Sequence, residues 1–158
     1  MSDKPPLPAD LRPGRPERLS ANEIRDVMDQ LRTQPHAASL LGFKAVDFSI
    51  EDAWIEAEFD PDPRTANMRG GVQGGMICAM LDEVMSFAVV IGEGFTVGVP
   101  TLEMKTSFLA PLPLGVCRGH GQAVRIGRNI AFMEGTIWTP DGQIAAKATS
   151  TCQVRRPT

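Results

Sequence analysis

Gly74-Gly75-Met76-Ile77-Cys78-Ala79-Met80-Leu81-Asp82-Glu83-Val84-Met85-Ser86-Phe87-Ala88-Val89-Val90-Ile91 is the longest apolar stretch of this 158-residue chain, and its reading decides the fold. Written as a helix, eighteen residues span about 27 Å. Met76, Ile77, Met80, Leu81, Val84, Met85, Phe87, Ala88, Val89 and Ile91 leave no wide polar face, so the helix is expected to be buried nearly all round. Downstream of Gly92-Glu93-Gly94 the pattern changes to strands: Phe95 to Val99, Thr101 to Leu109, Val116 to Ile126, Ile130 to Thr139 and Ile144 to Val154. They are separated by turns at Pro111 to Gly115, Gly127-Arg128-Asn129 and Pro140-Asp141-Gly142. Upstream, period-two alternation from Phe43 to Phe59, broken at Glu51-Asp52, reads as a β-hairpin. One buried helix followed by several long strands implies an α+β architecture, an antiparallel sheet wrapped around the helix.

Further toward the N-terminus, Ser20-Ala21-Asn22-Glu23 fits a capping box. Ile24, Val27, Met28 and Leu31 follow at helical spacing, which predicts an amphipathic helix from about Ala21 to Arg32 stopped by Pro35. Ala37 to Leu41 is expected to form a short helical turn closed by Gly42. Residues 1–17, rich in proline and charge, are expected to be a flexible tail ahead of a single domain from 18 to 158.

Composition narrows the function. With 42% hydrophobic and 22% charged residues and a mean hydropathy of −0.10, the chain can bury a core. A net charge of −3 without a basic run argues against a nucleic-acid partner. Cys78, Cys117 and Cys152 are odd in number and widely spaced, which speaks against a disulfide framework or a metal site. The first residues lack a secretory apolar segment, so no membrane association and a cytoplasmic location are expected. Tyrosine is absent and the only histidines are His36 and His120, so catalysis has to lean on carboxylates, hydroxyls and backbone amides, and no cofactor is called for.

Asn67-Met68-Arg69-Gly70-Gly71-Val72-Gln73-Gly74-Gly75 runs straight into the helix. Glycines at a helix N-terminus leave amides open, let a ligand approach the backbone closely, and add the positive end of the helix dipole. Such a site suits a polarised carbonyl or an oxyanion, although a tight turn also explains the glycines. Asp82, two turns in, costs several kcal/mol if buried and unpaired. It is therefore expected to serve a reaction, to pair with an arginine such as Arg69, Arg125 or Arg128, or to lie at an interface. Glu83 points about 100° away around the helix and is expected to reach a subunit interface instead.

Together these residues resemble the hotdog-fold acyl-CoA thioesterases of the phenylacetate-degradation type. Asn67, Gly74-Gly75 and Asp82 follow the signature N-x5-H-G-G-x6-D. Thr101 to Pro111 is similar to that family's strand ending in F-L-x-P, and Gly127-Arg128, Asp141-Gly142 and Ala145 to Thr149 match its later elements. The resemblance spans about Leu40 to Val154 and implies a hotdog fold that hydrolyses acyl-CoA to free acid and CoA. It implies that the amide of Gly74 or Gly75 polarises the thioester carbonyl and that Asp82 acts as nucleophile or general base. Asn67 would orient the water or carbonyl, and Thr101 would supply a hydroxyl. Arg128 and Arg69 would meet the phosphates of coenzyme A, in a homodimer or dimer of dimers with sites across the interface. Gln73 stands where the family has histidine; its amide can donate a hydrogen bond but cannot take a proton. The other readings are a non-catalytic acyl-CoA or acyl-carrier binding protein and a hotdog hydratase or dehydratase. The latter needs a His and acid pair, and neither histidine lies at the head of the central helix.

Overall fold

In the computed structural model, residues 12–33 and 36–157 are described. Pro35 and residues 1–11 of the expected tail lie outside them. From Arg12 onward the chain is tied to the body, the amides of Gly14 and Arg15 both donating to Phe95 O at 2.9 and 3.0 Å.

Helix α1, Ala21–Leu31, starts on the expected capping box. Ser20 Oγ accepts from Glu23 N at 3.4 Å, and Glu23 Oε2 accepts from Ser20 N at 2.8 Å. Its apolar stripe of Ile24, Val27, Met28 and Leu31 is buried. The short α2, Ala37–Leu40, ends at Gly42, whose φ of +64° and contact with the Asp60 backbone leave no room for a side chain.

The strands are β1 Lys44–Ser49, β2 Trp54–Phe59, β3 Thr101–Phe108, β4 Cys117–Ile126, β5 Ile130–Trp138 and β6 Ile144–Gln153. They form one antiparallel sheet in the order β1-β2-β4-β5-β6-β3. Helix α3, Gly74–Gly92, is cradled by this sheet in the hotdog arrangement, with Met80, Leu81, Val84, Met85, Ala88, Val89 and Ile91 fully buried. It is long and apolar enough to cross a bilayer, but here it packs against β2, β4 and β5. The sheet comes this close because β4 carries glycine where it crosses the helix: a Cβ on Gly121 would overlap the Val84 carbonyl. β3 is an outer strand with a free edge, and Leu102, Phe108 and Leu109 in and beyond it are more than half exposed.

The expected strand from Phe95 to Val99 is corrected. Phe95 takes a φ of +65° and its amide donates to Val90 O at 2.7 Å, closing the end of α3. Its carbonyl is taken by Gly14 and Arg15, so the backbone of this segment is committed to the helix end and the N-terminal segment. Only Gly98 makes a bridge, to Arg155.

Candidate active site

The loop into α3 is built around Asn67. Asn67 N donates to Gly71 O at 2.7 Å, Gly70 N to Asn67 O at 3.0 Å, and Arg69 N to Asn67 Oδ1 at 2.8 Å. A β-bridge between Ala66 and Val72 closes it, and Gly70 at φ +84° makes the turn. Asn67 therefore shapes the loop with its carboxamide oxygen. Its Nδ2 makes a long 3.4 Å contact with Val72 O and is the atom still able to turn to a ligand.

Gln73 is the N-cap of α3. Its Oε1 accepts from Gly75 N at 2.6 Å and from Met76 N at 3.2 Å. The Gly75 amide is thus consumed within the chain, and Gly74 N has no hydrogen-bond partner among the described residues. Of the two amides that the sequence leaves open, only Gly74 is available to a carbonyl.

A cleft of about 630 Å³ opens here, bounded by the Asn67–Gly74 loop on one side and by Phe108 to Pro113 on the other. Phe108 is a site residue that the sequence reading did not single out: a Cβ on Gly74 would touch its Cζ at 3.4 Å. Its position at the end of β3, within the F-L-x-P element, is the signal that could have found it. Exposed Arg69 lines the mouth of this cleft.

Asp82 is half-buried and accepts a hydrogen bond from Thr101 Oγ1 at 2.7 Å. No arginine pairs with it among the described residues, so the expected ion pair with Arg69, Arg125 or Arg128 is not what holds it. Glu83 differs from its neighbour: burial, and then the charge of Asp82, push its carboxyl up from an ordinary 4.5 to about 7. Asp82 does not line the cleft, being eight helical steps, about 12 Å, along α3 from Gly74. Arg128, exposed at the β4–β5 turn, is farther still, near the other end of α3. The structure therefore gathers Asn67, Arg69, Gln73 and Gly74 at one place and Asp82 with Thr101 at another. Of the remaining reactive side chains, His120 lies on β4 stacked at 6.1 Å on Trp54, and Cys78 Sγ sits 3.6 Å from Thr106 Oγ1.

Residues 70–146 match the family model described as the thioesterase superfamily. Over 120 residues the chain is 30% identical to a "Putative esterase" of Haemophilus influenzae, an alignment covering 75% of this chain and 84% of that one. Among solved structures it is similar to a putative thioesterase, phenylacetic acid degradation-related protein, of Ralstonia eutropha. That pair shares 34% identity with a TM-score of 0.72 over 79% of this chain and 96% of the other. A Streptococcus mutans protein solved bound to acetyl CoA shares the fold at 24% identity and a TM-score of 0.64, covering 73% of this chain and 91% of that one.

Proposed function

This chain belongs to the thioesterase superfamily, and from that premise we propose that it hydrolyses acyl-CoA thioesters to free acid and CoA at a site completed by two copies of the chain. The observation that carries the reading is the state of the α3 amides: Gln73 takes those of Gly75 and Met76 and leaves the amide of Gly74, a residue lining the cleft, without a partner among the described residues. A thioester carbonyl placed there gains a hydrogen bond and the helix dipole, both of which strengthen as its oxygen becomes negative.

The carboxylate comes from the second copy. With about 12 Å between Gly74 and Asp82 along one helix, one chain cannot bring both to one carbonyl carbon. The free edge of β3 offers the remedy, since an exposed strand edge pairs readily and closed two-fold pairing of identical edges is antiparallel. Antiparallel pairing lays the Thr101 end of one β3 beside the Phe108 end of the other. The Asp82–Thr101 pair of one copy then faces the Gly74 cleft of its mate. Asp82 takes a proton from water as the water adds to the carbonyl carbon, and the C–S bond then breaks to give the free acid while the coenzyme thiolate leaves and takes up a proton. Alternatively Asp82 attacks that carbon itself, the thiolate leaves, and water then hydrolyses the acyl–Asp82 anhydride to the free acid and the regenerated carboxylate. Thr101 holds the carboxylate in place. The Streptococcus mutans relative bound to acetyl CoA supports coenzyme A as the carrier.

The test is thiol release from short, long and aromatic acyl-CoAs, with light scattering at micromolar protein. Turnover by a dimer or larger assembly is expected. A strict monomer would sink the shared site, and no turnover across the panel would favour a non-catalytic acyl-CoA binding protein.

A further inference from the structure

We infer that Phe108 decides which acyl groups reach the Gly74 amide: its ring stands beside the carbonyl seat and admits a straight chain in preference to one branched at the carbon next to the carbonyl. This deepens the thioesterase reading and rests on it.

The ring leans on the donor residue itself. A Cβ built on Gly74 would meet Phe108 Cζ at 3.4 Å and Cε1 at 3.5 Å, so the tip of the ring lies in van der Waals reach of that position. A carbonyl oxygen accepting from Gly74 N at about 2.9 Å brings its carbon, and whatever that carbon carries, alongside the ring. Phe108 is 53% exposed, an open apolar surface next to an amide that has no partner among the described residues. Apart from Asn67 and Arg69, every side chain that lines the cleft is apolar. The group received beside the carbonyl is therefore hydrocarbon, since a polar one would lose its water there without a replacement partner.

The wall is rigid enough to discriminate. Phe108 stands opposite Ala146 in the β3–β6 ladder, and the next two amides, Leu109 N and Ala110 N, both donate to Ala145 O at 2.8 and 3.1 Å. Across the cleft, Val72 N donates to Leu112 O at 2.8 Å and Gly71 bridges Pro113, so the loop that delivers Gly74 is tied to the segment that follows Phe108. Buried Ile77, one turn into α3, completes the lining and belongs to the close-packed core, so it cannot recede. A methyl branch next to the carbonyl then has to push the oxygen away from Gly74 N, which forfeits the hydrogen bond that strengthens as the oxygen becomes negative.

The test compares n-butyryl-CoA with isobutyryl-CoA, which have the same atoms and differ only in where one methyl sits, on the native protein, Phe108→Leu and Phe108→Ala. The native ratio of kcat/KM, straight over branched, is expected to be about 10-fold or more, to shrink in Phe108→Leu and to approach one in Phe108→Ala. Loss of fold or assembly, followed by melting temperature and light scattering, would lower both rates together and leave the ratio where it was. Should Phe108→Ala fail to assemble, the ratio in Phe108→Leu decides. A native ratio near one, or a ratio that survives the substitutions, overturns the inference. If the native protein hydrolyses neither thioester, the thioesterase reading fails and the intact acyl-CoAs serve as ligands. A calorimetric preference for the straight chain that disappears in Phe108→Ala then sustains the contact, and any other titration overturns it.

Discussion

Where α3 begins, the chain exposes backbone and removes side chains: two glycines, a glutamine folded back onto its own helix, and one amide left for a ligand. Two turns later it does the reverse and presents neighbouring carboxylates with opposite surroundings. Asp82 is fixed by a hydroxyl, while Glu83 is desolvated and pushed up to about 7. The two regions are complementary in charge, yet a rigid helix keeps them apart within one chain. In the proposed function, the Gly74 donor and the Asp82 carboxylate act together when a second copy brings the opposite ends together. The same contrast explains why Asp82 and Glu83, adjacent in sequence, should respond differently to loss of charge.

Asp82→Asn gives the largest expected effect. Asparagine keeps the shape and can still accept from Thr101, so fold and assembly should survive while hydrolysis falls by at least about 10²-fold. A melting temperature lowered by many degrees with activity lost only through unfolding would return Asp82 to a structural role. Normal turnover in a stable variant would end its assignment as nucleophile or base.

The helix start is probed through Gln73. Gln73→Ala uncaps two amides and should cost about 1 kcal/mol of stability, read as a drop of a few degrees in melting temperature. Gln73→His should spare the cap. His36 already accepts from Ala38 N through Nδ1 at 3.2 Å in this chain, so an imidazole at an N-cap can take the amide two residues on. If the missing imidazole limits the reaction, turnover rises in this variant. Unchanged turnover with an intact cap means that the Gln73 amide already does what the position requires.

What could be read in the sequence follows the range of the interactions. The capping box, the amphipathic α1, the hairpin β1–β2 and the apolar α3 are local patterns, and each formed where its residues predicted it. Gly74 and Asp82 were legible as candidates because glycine pairs and a carboxylate in an apolar helix are locally costly, whereas Thr101 was reached only through the family resemblance. Phe95 to Val99 was misread as a strand because the Phe95 carbonyl is taken by the amides of residues 14 and 15, which no window around it contains. The same holds for Gln73, whose side chain turned out to choose between the Gly74 and Gly75 amides. It holds also for Arg156, whose guanidinium reaches the Arg128 carbonyl across the sheet end. Gly121 gave no local sign that it fits against the Val84 carbonyl.

The smallest expected effect is the pH dependence that Glu83 lends to stability. A glutamate whose carboxyl sits at about 7 in the fold, against 4.5 ordinarily, holds its proton more tightly folded than unfolded. Below pH 4.5 both states are protonated and the contribution to stability is whole. As pH rises from 4.5 to 7 the unfolded chain ionises first, so this contribution is progressively lost, and above 7 the fold carries a poorly hydrated charge. Glu83→Gln removes the ionisation and keeps the size. It should therefore melt close to the native protein at pH 4.5 and a few degrees above it at pH 8, as calorimetry at the two pH values would record. An equal gap at both pH values would mean that Glu83 is solvated in the assembled protein, and the contrast between the neighbouring carboxylates would have to be withdrawn.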